Sequence, residues 1–488
     1  MNAPGSFDLV LDRMLIDGAW VTAGSGAVIE VIDPATEAVI GSVPSAGPED
    51  LDLALHASER AWESWRRVDP WSRTVILRQI AGSVRDRADD LGRVISAETG
   101  KPLAEARAES LATADQFDWY ADEARRVYGR TIESRDPDVR MFVKHEPVGP
   151  VAVFTAWNFP ALLPARKIAP ALAAGCPVIA KPAEESPRTL VALASVCMHA
   201  GLPDGVLNVV TGDPAATSAR LISSPTIRKV SLTGSVPVGR AVMRQAAERI
   251  LPVSMELGGH APVVVFADAD LDQAVEVCLR AKFRNCGQVC ISPTRFFVHE
   301  RVAGEFAAKF TAGARRLTVG DPADMTTEVG PLANARRIGE VERLVADAVD
   351  HGGVTLVGGR RCDPLGSGKG FFYEPTVIGG ANDSMAVMRE EPFGPLAPIA
   401  EFGELDEVIE RANSTPFGLA GYVFTRDLRT AYEASERLEV GMVGVNNLVI
   451  ATAEAPFGGV KQSGFGREGG SEGVTAYTAT KYVNMRLT

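Results

Sequence analysis

From Val148 to Ser254 the chain alternates two kinds of segment. Val151-Ala-Val-Phe154, Val178-Ile-Ala-Lys181, Val206-Leu-Asn-Val-Val210 and Val230-Ser-Leu-Thr233 are short, apolar and rich in β-branched residues, as strands buried on both faces are. Helical stretches starting near Leu163, Thr189, Pro214 and Pro237 separate them. Repetition of strand and helix in this order folds as a parallel, doubly wound sheet. A second series follows Glu256, with a strand at Ala261-Pro-Val-Val-Val-Phe266 and helices at Asp270 to Arg280 and Ala335 to Val349. The pattern predicts an α/β protein with two sheet domains. Gly352 to Gly380 is glycine-rich and reads as a surface excursion.

Upstream, Leu15 to Ile40 carries short apolar runs punctuated by Gly and Pro, a pattern of short strands. Apolar residues at helical spacing then predict helices over Leu51 to Arg66, Ser72 to Arg87 and Ala104 to Tyr128. Thr131 to Glu146 alternates as a strand pair, and the C-terminal Ala476 to Leu487 is β-rich with no partner nearby in sequence. Isolated two-stranded ribbons are marginal in water, so these two pieces are expected to be paired or covered.

A chain of 488 residues exceeds one ordinary core. Its 46 % hydrophobic and 23 % charged content is that of a soluble globular enzyme. A net charge of −12 without a basic stripe argues against nucleic acid and anionic membranes as partners. The longest uncharged run, Pro147 to Ala165, is broken by prolines and predicts no membrane span. No positive, then apolar, leader is visible, so a cytoplasmic location is the expectation. Six scattered cysteines fit reduced thiols. Cys286 and Cys290 are four apart, but no histidine lies at a finger-like spacing from them, and no metal site is expected.

The remaining signals centre on Lys282-Phe-Arg-Asn-Cys-Gly-Gln-Val-Cys290-Ile-Ser-Pro293, where Cys290 sits in a short polar run suited to face a cleft. Asn158 in Ala156-Trp-Asn-Phe-Pro160, Glu256 in Glu256-Leu-Gly-Gly-His260 and Phe457 in Pro456-Phe-Gly-Gly459 each lie in a turn-rich motif of their own. With Lys181-Pro-Ala-Glu184, Thr233-Gly-Ser235, Gly287-Gln-Val-Cys290 and Glu390-Glu-Pro-Phe-Gly-Pro395, these make an ordered set by which the chain resembles the aldehyde dehydrogenase superfamily nearly end to end. Lys282 to Asn285 repeats the wording of its succinic semialdehyde dehydrogenases.

The resemblance implies a Rossmann-type, NAD-binding domain over residues 1–128 and 148–255 and a catalytic domain over 256–446. It also implies an oligomerisation arm from 129–147 and 470–488, with 447–469 returning to the cofactor domain. Cys290 would be the nucleophile, Glu256 the deacylating base and Asn158 an oxyanion donor. Trp157, Lys181, Glu184, Gly234, Ser235, Leu257, Glu391 and Phe393 would hold the coenzyme. Glu184 favours NAD, because a 2′-phosphate beside its carboxylate is repelled, with NADP possible. Arg166 and Arg284 match the arginines that hold the substrate carboxylate, and Phe457 would line the same pocket. The serine completing that carboxylate site is Ala451 here, and Ser292 stands where some members have a second cysteine. Cys286 is expected to be a packing residue. The small-molecule substrate would be a short semialdehyde such as succinic semialdehyde, acting in a homodimer or homotetramer. A dehydrogenase for neutral or aromatic aldehydes, a coenzyme-A-acylating enzyme and a non-catalytic scaffolding relative are the alternatives.

Overall fold

A computed structural model describes residues 7–487; Met1–Ser6 and Thr488, at the ends of the expected cofactor domain and arm, lie outside them. The first sheet contains five adjacent parallel strands, in the order Val253–Glu256, Lys229–Thr233, Val151–Phe154, Val178–Lys181 and Leu207–Val209. Antiparallel strands flank it, Gly464–Phe465 beside Val253–Glu256 and Met14–Ile16 with Ala19–Val21 at the other edge. The parallel alternation expected from Val148 onward is present, and its strands are almost wholly buried because helices cover both faces.

The second sheet runs Val354–Val357, Thr376–Gly379, Leu396–Phe402, Pro293–His299, Ala261–Val265, Ala420–Phe424 and Met442–Val445. All neighbours are parallel except the first pair. Gly352 to Gly380 is therefore more than a surface excursion. Its two strands extend the sheet, with Phe372, Tyr373, Val377 and Ile378 buried, while the glycines take the left-handed turns between them. In the third sheet, Thr478–Arg486 pairs along nine residues with Val139–Pro147, whose other edge carries Arg130–Ile132.

Among the first helices, Pro48–Trp65, Pro70–Asp86 and Leu103–Glu123 correspond to the three expected from periodicity. A further helix, Ala88–Thr99, was hidden by its join to the preceding one. Arg87 (φ −108°, ψ 15°) breaks the two, and left-handed Gly100 ends the second.

The site follows from how the two sheets meet. Four neighbouring strands of the first sheet end at Glu256, Thr233, Phe154 and Lys181, and ligands of an open parallel sheet bind beyond such C-terminal ends. Three neighbouring strands of the second sheet begin at Ala261, Pro293 and Leu396. The segments leading into them carry Gly258 and Gly259, Cys290, and Glu391 with Phe393.

Candidate active site

A cavity of about 280 Å³ lies between these strand ends, lined by Trp157, Asn158, Gly234, Ser235, Glu256, Leu257, Cys290, Glu391, Phe393 and Phe457 among others. Ten of the residues singled out in the sequence thus share one cavity. Lys181 and Glu184 lie outside its lining and are paired with each other at the end of Val178–Lys181.

The Cys290 loop is shaped by a left-handed run. Asn285, Cys286 and Gly287 have φ of 48°, 53° and 72°, uncommon for non-glycine residues. They are held there by side-chain bonds. The Asn285 amide N–H donates to Glu105 Oε2 (2.9 Å), and Asn285 Nδ2 donates to the carbonyl of Asn158 (3.1 Å). The same Asn158 carbonyl accepts from Lys101 Nζ (2.9 Å), a buried cation paired with Glu109. Glu109 Oε1 in turn accepts the amides of Ala161 (2.9 Å) and Leu162 (3.2 Å), capping the helix Leu162–Ala174. Fixed from behind, Asn158 presents its side-chain amide to the loop, donating one N–H to the Gln288 carbonyl at 3.0 Å. Its second N–H is available to an oxyanion.

Close backbone approach explains the glycines at the head of the second sheet. A Cβ on Gly258 would stand 2.3 Å from Glu391 Oε2, and one on Gly259 would stand 2.6 Å from the Cys290 carbonyl oxygen. Glu391 accepts the Gly259 amide at 3.1 Å, and burial pushes its carboxyl up to about 7.

Burial likewise pushes the Cys290 thiol up to about 12, with Glu391 adding to the shift and Arg166 opposing it. A thiol reacts as its thiolate, so to act as a nucleophile Cys290 would need a base to take its proton. Glu256 is buried, has an unpartnered Oε2 and lines the same cavity. Burial raises its carboxyl well above the ordinary 4.5; Glu468 raises it further, while Lys167, Arg166 and Arg467 oppose.

Ser235 caps the helix Val236–Ala247 in an extended conformation without a side-chain bond to its amides. Pro237 has no N–H and the Gly239 amide donates to the Ser235 carbonyl at 2.9 Å, so the helix offers a phosphate its N-terminal dipole and at most the amides of Val236 and Val238. Trp157 and Phe393 stand edge to face, ring centroids 5.5 Å apart. A helix N-terminus, an aromatic slot and a carboxylate at Glu391 fit a nicotinamide dinucleotide. The model for the aldehyde dehydrogenase family matches residues 20–483. The chain belongs to the aldehyde dehydrogenase family. It is accordingly an oxidoreductase acting on aldehydes.

Similar relatives include the NADP-dependent succinate-semialdehyde dehydrogenase GabD of Escherichia coli K12, 42 % identical, covering 98 % of this chain and 99 % of that protein. The 3-sulfolactaldehyde dehydrogenase of Pseudomonas putida is 43 % identical over 97 % of each chain. A solved succinate-semialdehyde dehydrogenase from Burkholderia pseudomallei superposes with a TM-score of 0.95 at 44 % identity, covering 98 % of both chains.

The two arginines part company in the structure of this aldehyde dehydrogenase. Arg166 is buried, its guanidinium 4.3 Å from the ring centroid of Phe457 and its Nη2 donating to the Ala451 carbonyl at 3.4 Å. Ala451 belongs to an adjoining cleft of about 540 Å³ lined also by Gln116, Trp119 and Leu162. Arg166 itself lines neither cavity; it lies behind them, touching Phe457 of the catalytic cavity and Ala451 of the adjoining cleft. Arg284 touches no lining residue of either. The turn at Asn285 sends it over Phe159, 5.1 Å from the ring centroid, into a different, solvent-facing cleft beside Glu105.

Sequence reasoning missed Lys101, Glu109, Lys167, Glu468, Arg336 and Arg337. Lys167 pairs with Glu468 across 301 residues of chain, in buried surroundings, and nothing local in either sequence signals the partner. Arg336 and Arg337 line the cavity from the first turn of the helix Ala335–Asp350. Cys286 is buried in the core of the second sheet. Among the described residues, no cluster of metal-ligating side chains occurs, and no helix is long and apolar enough to cross a membrane.

Proposed function

We propose that this protein oxidises an aldehyde with a distal anionic group to the corresponding acid, succinic semialdehyde being the first compound to test. The observation that carries the substrate class is Arg166. A buried guanidinium with an unpartnered Nε and no ion pair to any described carboxylate is costly unless an anion meets it. Its fork suits a carboxylate or sulfonate. Both curated relatives described above are named for aldehydes that carry an acid group.

In this reading Cys290 Sγ attacks the aldehyde carbon, and the thiol proton passes to solvent or Glu256. The oxyanion accepts from the free N–H of Asn158 and the amide of Cys290; losing one such donor costs about 2.7–4 kcal/mol of barrier. Trp157, Gly234, Ser235, Leu257, Glu391 and Phe393, with Lys181 and Glu184 toward the ribose, would hold a nicotinamide dinucleotide, which would supply the hydride acceptor needed for the adduct to become a thioester. Glu256 then takes a proton from water, whose attack on the thioester carbon expels the Cys290 thiolate and releases the acid. NAD is the better fit, with NADP possible, because the Glu184 carboxylate disfavours a second charge beside it. The exposed outer edge of Thr478–Arg486 suits pairing with a second copy, and a homodimer or homotetramer in the cytoplasm belongs to the same proposal.

The test compares succinic semialdehyde with butanal, without coenzyme A, in the parent, Arg166→Ala and Arg284→Ala. Acid should form without coenzyme A. Arg166→Ala should lower kcat/KM for the semialdehyde by more than about tenfold and spare butanal, since a desolvated charged hydrogen bond is worth about 2–5 kcal/mol. Arg284→Ala should change it by less than about threefold, as for an exposed charge. Preference of the parent for butanal or benzaldehyde would contradict the anionic substrate and leave the family activity standing.

A further inference from the structure

The cavity that fits the dinucleotide is poor in positive charge. Glu256 and Glu391 line it, and Arg336 and Arg337 are its only basic residues among those described. A diphosphate entering beside two carboxyl groups needs a cation. Arg337 is already committed: it donates to the carbonyls of Pro392 (2.6 Å) and Phe393 (3.3 Å), holding the segment in which Phe393 takes a left-handed φ of 39°.

Arg336 is differently placed. Its side chain is 73 % exposed, and its one charged contact is Glu185, at 3.7 Å. Glu185 follows the strand Val178–Lys181 of the first sheet and also accepts from Asn334 Nδ2 at 3.4 Å. The contact therefore crosses the cleft between the two sheets, joining the helix Ala335–Asp350 to the segment that carries Lys181 and Glu184. With Arg336 exposed and Glu185 half-buried, a pair 3.7 Å apart is loosely held, whereas a guanidinium binds phosphate oxygens through charge-assisted, forked bonds.

We propose that Arg336 is a phosphate-binding residue of the coenzyme site, exchanging its contact with Glu185 for a phosphate oxygen of the bound dinucleotide. The proposal rests on the nicotinamide-dependent reading above. Glu185 competes for the same guanidinium, so it sets how much of the charge the coenzyme receives. Removing the two side chains has opposite consequences: loss of Arg336 weakens coenzyme binding, and loss of the Glu185 charge strengthens it. A merely structural role for the pair, latching the two sheets, would make both variants shift in the same direction.

The experiment is equilibrium titration with NAD and with NADP, without aldehyde, read by quenching of protein fluorescence, for which Trp157 in the cavity is a reporter. Arg336→Ala should raise Kd about five- to tenfold at low salt, with the gap closing as ionic strength rises. Glu185→Gln should lower Kd about two- to fivefold, a modest release for a loosely held pair with one exposed partner. An equal loss for the two coenzymes places Arg336 on the diphosphate, and a larger loss for NADP places it on the 2′-phosphate. The proposal is overturned if Arg336→Ala binds both coenzymes as the parent does, or if both variants weaken binding alike. A parent protein that binds neither coenzyme would instead sink the nicotinamide-dependent reading.

Discussion

Burial makes Glu256 a stronger base than an exposed carboxylate, and it fixes the sign of the pH dependence. In the proposed role the ionised form would take the proton from water, yet burial and Glu468 favour the neutral form, raising the carboxyl well above 4.5. Deacylation should therefore rise with pH through that raised midpoint. Stability follows the opposite sign. A folded-state value above the unfolded one gives a contribution that is full below about 4.5 and is lost as pH rises through the folded midpoint. Where deacylation limits turnover, kcat should climb as pH rises through a midpoint well above that of an exposed carboxylate, and a flat profile would remove Glu256 from the role. The sequence displayed Cys290, Glu256 and Asn158 because each lies in a compact motif. It did not display Lys101, Glu109, Lys167 or Glu468, which act through partners far along the chain. Nor did it display the direction of Arg284, which depends on two non-glycine residues adopting left-handed backbone.

The strand ends, more than any single motif, assemble the cavity. Glu256, Thr233, Phe154 and Lys181 end neighbouring parallel strands, and the register pairs Thr233 with Glu256 and Phe154 with Lys181. Strand and helix alternation was readable from apolar runs. The strands in Gly352 to Gly380 were not, because glycine turns dominate the composition, and a helix joined to its predecessor at Arg87 gave no visible break. Helix Leu103–Glu123 illustrates how an element far from the chemistry supports it. Its Glu109 neutralises Lys101 and caps the helix after Asn158. Glu109→Ala leaves the buried Lys101 cation without its partner, and should destabilise the protein by about 3–5 kcal/mol. The urea midpoint should fall, and kcat should fall with it as Asn158 loses its support, while coenzyme Kd changes little. A variant with parental stability would show that Lys101 does not need its partner.

At the scale of the molecule, the first sheet offers the C-terminal ends of its strands and the second sheet offers the N-terminal ends of its own, so two incomplete sites meet as one. The third sheet takes no part in that cavity. Division of labour between the sheets implies separable chemistry. In the proposed mechanism, acylation would draw on Cys290, from the second sheet, and hydrolysis on Glu256, from the first. The direct test is rapid mixing of Glu256→Gln with coenzyme and succinic semialdehyde, recording NADH and the mass of the Cys290 peptide. A burst of about one equivalent of NADH and then a stall is expected, with an acyl group retained on Cys290, because thioester formation precedes the step that needs the base. Steady turnover by Glu256→Gln, with Cys290 unmodified, would contradict the proposed mechanism.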